Sequence, residues 1–159
     1  MSIAEDILQQ ASQIRDNYYR LVLVALPSGG GKTGALQDVA RRTGWRYVNV
    51  NLELSRRLLE LTERQRALRL TSLLEDAVGP IGDDPVLLDN LELLFDRNLR
   101  QDPLRLLQSL GRRRIVIAAW GGQVVGGYLT YAEPDHADYR RYPASELVVI
   151  GPEQAKKVI

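Results

Sequence analysis

Apolar positions follow two patterns along the chain, a helical one and an unbroken one. Ile3, Ile7, Leu8, Ala11 and Ile14 recur at helical spacing, so residues 3 to 16 are expected to form an amphipathic helix. Leu21 to Leu26 is continuous and reads as a strand. Lys32 to about Thr43 reads as a helix stopped by Gly44, and Arg46 to Asn51 alternates as a second strand. Leu54, Leu58 and Leu61 share a helix face, and Thr62 with Gln65 makes a capping-box pattern that opens a further helix ending near Gly79-Pro80. Pro85 to Asp89 is a short apolar run ending in a carboxylate, the pattern of a strand buried on both faces of a parallel sheet. Asp102, Pro103 and Gly111 read as N-cap, first helical position and stop around Leu104 to Leu110. A fourth strand is expected over Arg114 to Trp120. Gly121-Gly122 and Gly126-Gly127 punctuate Gln123 to Tyr131, read as a hairpin or a paired extension, and a short segment, Asp135 to Tyr142, leads to Pro143 and a last strand, Leu147 to Ile150.

Strands alternating with helices predict an α/β domain, and the connection after the first strand carries chemistry. Leu26-Pro27-Ser28-Gly29-Gly30-Gly31-Lys32-Thr33 reads as a phosphate-binding loop. Glycines let backbone N–H groups approach phosphate oxygens closely, Lys32 supplies a point charge, Thr33 offers a hydroxyl to Mg²⁺, and the helix through Gly34 aims its N-terminal N–H groups at the same anion. Ser28, Gly29, Gly30, Gly31, Lys32, Thr33 and Gly34 are therefore the expected nucleotide contacts. Leu26 stands where the G-x-x-x-x-G-K-[ST] pattern has its first glycine; preceding a proline, it is biased to extended backbone, so the strand should run one residue longer than usual.

Asp89, at the carboxyl end of its strand, fits the acid that holds Mg²⁺ together with Thr33. The alternative for Asp89 is a helix N-cap before Leu91. Hydrolytic enzymes of this kind commonly place a glutamate directly after this aspartate, whereas this chain has Asn90, leaving Glu92 as the nearest substitute base. Ala118, Ala119 and Trp120 supply no polar sensor on the following strand. Both departures point to slow hydrolysis, or to a nucleotide that is held and sensed. A small-molecule kinase is the second reading and a non-hydrolysing nucleotide-gated module the third. In an AAA-like sheet another strand lies between the loop strand and the Asp89 strand; in a nucleoside-kinase-like sheet those two are neighbours.

Composition narrows the field. The 159 residues are 45% hydrophobic and 26% charged, suited to one domain over residues 1–159. With no cysteine and His136 alone, disulfides, thiolate metal sites and a multi-histidine zinc site are excluded. Glu5 and Asp6 stand ahead of Ile7 and Leu8 without a basic region, so no signal peptide is expected, and no run reaches membrane-spanning length. The net charge of +1 gives no overall case for nucleic acid or membrane. A DNA contact is left open by the many arginines. Arg56, Arg57, Arg64, Arg66 and Arg69 interleave with Glu53, Glu60 and Glu63, which favours a solvated, salt-bridged face.

The strings LPSGGGKT, VLLDNLELLFD and RRRIVIAAWGG, followed by YAEPDHADYRRY, resemble the BrxF family of P-loop proteins from bacterial BREX (bacteriophage exclusion) systems. The first two strings are generic to P-loop ATPases; the Trp-Gly turn and the Tyr-Arg-Arg-Tyr segment are more specific. The resemblance implies a three-layer P-loop NTPase fold of the AAA-like (ASCE) type, with a central, mostly parallel five-stranded sheet and an added hairpin. It implies a cytoplasmic anti-phage defence component using ATP or ADP with Mg²⁺, working beside other BREX subunits. By position, Lys32 and Thr33 would bind phosphate and Mg²⁺ and Asp89 would be the Walker B acid. In AAA-type ATPases an arginine from the region before the fifth strand reaches a neighbour's γ-phosphate. Arg140 and Arg141 fit that place and imply a homo-oligomer; the alternative is a surface pair bonding Asp135 or Asp138, and Arg112 to Arg114 are rivals.

Overall fold

The computed structural model describes residues 2–27 and 29–152. Helix α1 (Ile3–Gln13) starts where the Ser2 hydroxyl accepts the Glu5 N–H at 3.2 Å and ends in a 3₁₀ turn over Ile14–Asp16. Strand β1 (Leu21–Leu26) is buried along its whole length and leads through the glycine loop to α2 (Lys32–Thr43), closed by Gly44 at φ 78°. Next come β2 (Arg46–Asn49), α3 (Val50–Leu58), α4 (Glu63–Val78) and β3 (Val86–Asp89). The chain finishes with α5 (Pro103–Gly111), β4 (Val116–Val125), β5 (Tyr128–Tyr131), β6 (Arg140–Pro143) and β7 (Val148–Ile150).

The central sheet has five strands in the order β2-β3-β4-β1-β7, every neighbouring pair parallel. Because successive side chains in a strand point to opposite faces, each buried strand feeds two cores. Leu21, Leu23 and Ala25, with Leu88, Ala118 and Trp120, pack under α3, α4 and α5 through Leu54, Leu70, Leu74 and Leu107. Val22, Val24 and Leu26, with Leu87, Ile117 and Ala119, pack under α1 and α2 through Ile7, Ala11, Leu36 and Val39. Three layers result. The capping box is present, with Thr62 and Gln65 each accepting the other's backbone N–H.

Several boundaries differ from those expected. β2 stops at Asn49 because its side chain accepts the Leu52 N–H at 3.1 Å and caps α3. Leu61 lies beyond the end of α3, although it still packs against the core. Gly111 is the last residue of α5 rather than a stop beyond it: Arg20 donates its N–H to the Gly111 carbonyl at 2.8 Å, and a Cβ at Gly111 would meet the Arg20 backbone at 3.3 Å. Gly121-Gly122 does not break the fourth strand. β4 pairs with β1 as far as Gly121 and from Gly122 onward pairs antiparallel with β5. At the crossover the Thr130 carbonyl passes so close that a Cβ on Gly122 would lie 1.8 Å from it. The segment before Pro143 holds a strand, β6, antiparallel to β5, so the added hairpin is a three-stranded extension of β4. Among the described residues no helix is long and apolar enough to cross a membrane.

Candidate functional site

The loop joining β1 to α2 is shaped by two glycines at positive φ, Gly29 at 79° and Gly31 at 92°. Gly30 donates its N–H back to the Pro27 carbonyl at 2.9 Å, and a Cβ there would crowd that oxygen at 2.8 Å. Cβ atoms at Gly29, Gly31 and Gly34 would project into open space. The first bond of the α2 ladder runs from the Ala35 N–H to the Gly31 carbonyl at 3.0 Å, so the N–H groups of Lys32, Thr33 and Gly34 precede the ladder, and Gly31 has no side chain to cap them. The expectation for Ser28 lies outside the described residues. Leu26 is buried in β1 and paired with Gly121, which is how the strand extends into the place of the missing first glycine.

A cavity of about 400 Å³ opens at the carboxyl ends of β1, β3 and β4, lined by the loop glycines, Lys32, Thr33 and Gly34, by Asp89, Asn90 and Glu92, and by Gly121 and Tyr131 across from them. The structure thus brings together Gly29, Gly31, Lys32, Thr33 and Gly34, the strand-end acid and the substitute base, while Gly30 does not line the cavity. Lys32 folds back onto the loop, donating to the Leu26 carbonyl at 2.8 Å and the Pro27 carbonyl at 3.3 Å. Burial pushes its ammonium below the ordinary lysine value, while Glu92 and Asp89 act in the opposite direction. An incoming anion would offer that ammonium a better partner than two neutral carbonyls.

Asp89 is only 2% exposed, and both its oxygens are engaged. Oδ2 accepts the Tyr47 hydroxyl at 2.6 Å and Oδ1 accepts the Asn90 N–H at 2.9 Å. It caps no helix, since the 3₁₀ turn over Glu92–Phe95 begins after Leu91 without a side-chain cap. Tyr47 reaches Asp89 from β2, where it shares a face with Leu87 and Asp89 of the paired strand. Its hydroxyl is pushed well above the usual phenol value, first by burial and then by Asp89.

Asn90 occupies the left-handed region at φ 56°, a conformation that asparagine tolerates better than most residues. Asn51 clamps the turn that follows. Its backbone N–H donates to the Asn90 carbonyl at 2.9 Å, its Oδ1 accepts the Leu93 N–H at 2.8 Å, and its Nδ2 donates to Glu92 Oε2 at 2.8 Å. Glu92 therefore has a fixed place on the cavity wall, two residues beyond the position where sequence patterns look for a base.

β4 contributes Ala119 and Gly121 to the wall, no polar side chain among them, as expected. Tyr131 of β5 occupies the place instead, its ring stacked on Phe95 at 3.5 Å between centroids and set edge-on to Trp120. Tyr47, Asn51 and Tyr131 were all missed from the sequence. The alternation of Tyr47 and Asn49 along the second strand was the only signal for the first; nothing local marked the other two.

The arginines lie elsewhere. Arg140 and Arg141 are on β6 and do not line the cavity. Arg140 is half-buried and donates toward the Phe95 carbonyl at 3.5 Å, while Arg141 is exposed and lies over the Tyr128 ring at 3.9 Å. Neither pairs with Asp135 or Asp138 among the described residues. Arg112, Arg113 and Arg114 precede β4, at the opposite end of that strand from the cavity, where Arg112 covers Tyr18 and Arg114 donates to the Gly79 and Pro80 carbonyls. The salt-bridged helix face is present in part, with Glu53 paired to Arg56 at 3.5 Å and to Arg57 at 3.6 Å. Among the described residues no cluster of three or more acidic, histidine or cysteine side chains could cage a metal by itself.

No protein-family model matches the chain, and no curated protein does. A match among solved structures is that of PCH-2 of C. elegans, at 16% identity and a TM-score of 0.40, covering 74% of this chain. The chain corresponds to 36% of the length of PCH-2, and a likeness so slight says nothing of what it binds.

Proposed function

We propose that the chain binds ATP and ADP with Mg²⁺ in the cavity at the carboxyl ends of β1 and β3 and hydrolyses ATP slowly. The observation that carries this reading is the convergence of three independent features on one cavity: the uncapped N-terminus of α2 with its glycine cradle, the Lys32 ammonium, and the Asp89 carboxylate. The open space over Gly29, Gly31 and Gly34 is room for a phosphate that Cβ atoms would fill. Thr33 and Asp89 offer the oxygen donors that a hard cation prefers, the remaining positions falling to phosphate oxygens and water. When bound, Mg²⁺ would neutralise charge on the phosphates.

Lys32 would leave the Leu26 and Pro27 carbonyls to meet the β- and γ-phosphates. Tyr47 keeps Asp89 oriented by donating its hydroxyl to Oδ2. Glu92, held by Asn51, would accept hydrogen bonds from the attacking water and take its proton. Asn90 cannot accept that proton, and slow turnover follows from a base displaced along the chain. The position of β4 between β1 and β3 supports this reading over the small-molecule kinase, whose sheet would make those two strands neighbours.

By resemblance, the site would serve a cytoplasmic BREX anti-phage component of AAA-like P-loop type, assembling as a homo-oligomer and with other BREX subunits according to the nucleotide bound. Arg140 or Arg141 would then be supplied to a neighbouring copy. A calorimetric titration of Mg·ATP and Mg·ADP against the protein and Lys32→Ala tests the site. Binding is expected for the first and a loss of about 1.5–3 kcal/mol for the second, the worth of a hydrogen bond to a charged group. Equal affinities would overturn the assignment.

A further inference from the structure

Part of the cavity wall is built by two elements that the sequence separates. β4 brings Ala119 and Gly121, which have no group to offer a ligand, and β5 returns antiparallel to place Tyr131 over Gly121. The fit depends on that glycine, because a Cβ there would lie 3.4 Å from the Tyr131 ring. The ring is fixed on its other side by Phe95, in a stack tilted by only 7°. The hydroxyls of Tyr47 and Tyr142 are committed to Asp89 and Asp102, whereas that of Tyr131 makes no hydrogen bond among the described residues.

We propose that the Tyr131 hydroxyl is a ligand contact, donating a hydrogen bond to the terminal phosphate of a nucleoside triphosphate and so distinguishing it from the diphosphate. The assignment rests on the nucleotide reading of the cavity. Its physical basis is the placement of one stacked, unpartnered donor in the lining of the cavity, beside a strand that supplies only Ala119 and Gly121 to it. The phenol is well suited to the task, since burial, with Glu92 and Asp138 nearby, pushes it up to about 12 and it keeps its proton at neutral pH. A donor from the hairpin replaces the polar side chain that β4 lacks, and makes recognition of the third phosphate a property of the β4–β5–β6 extension.

Tyr131→Phe removes the hydroxyl and keeps the ring that stacks on Phe95, so a purely structural role would leave it silent. Binding of Mg·ADP and of a non-hydrolysable Mg·ATP analogue is measured calorimetrically for the protein and for the variant, with melting temperature as the control for folding. The expected result is a loss of about tenfold or more in affinity for the triphosphate, the worth of a hydrogen bond to a charged acceptor, with the diphosphate unchanged. Equal affinities for the triphosphate, or a parallel loss for both nucleotides, would overturn the role of Tyr131 while leaving the nucleotide site in place. Absence of binding by the unaltered protein would overturn both.

Discussion

Asn51 holds Glu92: the side-chain amide donates to the carboxylate at 2.8 Å and accepts the next backbone N–H, from Leu93, at the same distance. One short residue from the start of α3 thus fixes both the side chain and the backbone of the turn that follows β3. The proposed general base must be held within hydrogen-bonding reach of the water it would activate, and Asn51 is the group that holds Glu92 in place.

Asn51→Ala is expected to slow ATP turnover by about tenfold, well inside the range attributed to general bases, while Mg·ADP affinity stays unchanged. The Leu93 N–H loses its partner, at a cost of about 1 kcal/mol to stability. Single-turnover hydrolysis and a thermal melt measure the two effects. Turnover equal to that of the unaltered protein would remove Glu92, or its support by Asn51, from the mechanism.

The tyrosines are expected to weaken stability at alkaline pH. Burial is the main cause that pushes Tyr47, Tyr131 and Tyr142 above the phenol value of 10.0, Tyr131 to about 12. The folded chain keeps protons there that the unfolded chain has lost, so stability is full below about pH 10 and is lost as pH rises toward 12. Lys32 has the opposite sign. Its value is lowered, so between that value and 10.5 the unfolded chain binds the extra proton and rising pH favours folding. Burial also lowers Arg114, which has the same sign as Lys32. With three tyrosines against these two groups, the melting temperature is expected to fall above pH 10. Tyr142→Phe should make that fall shallower, and an unchanged profile would show that the phenol does not contribute.

Arg141 is exposed and, among the described residues, lies over the face of Tyr128, which leaves it available to a second copy under the proposed homo-oligomer, whereas Arg140 is turned toward Phe95. Arg141→Ala is expected to leave nucleotide affinity and melting temperature unchanged and to abolish the dependence of turnover on protein concentration. A loss of 10³-fold or more is on the order of what an arginine supplied in trans contributes. If both Arg140→Ala and Arg141→Ala assemble and turn over normally, the role in trans is withdrawn.

The parts of the molecule legible in the sequence are those set by neighbours in the chain. Leu21–Leu26 and Lys32–Thr43 could be read to the residue, because an unbroken apolar run, a glycine loop and a terminal glycine are local signals. That Lys32, Thr33 and Asp89 line one cavity was legible for the same reason. Tyr47 and Asn51 act on residues 42 and 41 positions away, across strand pairings that no local pattern encodes. The strand over Arg140–Pro143 was hidden because Pro143 argues against a strand, yet β6 lies at the edge of the extension, where a missing N–H costs no ladder bond.

The ten residues of β4 begin in the parallel core and end in the antiparallel extension, with Gly122 at the crossing. No joint separates the two halves. Phe95, Trp120, Tyr131 and Tyr142 lock the extension to the base from which it grows. The turn at Gly126-Gly127 and the cavity wall at Gly121 are thus joined through one continuous strand pair, braced at its base by the aromatic cluster.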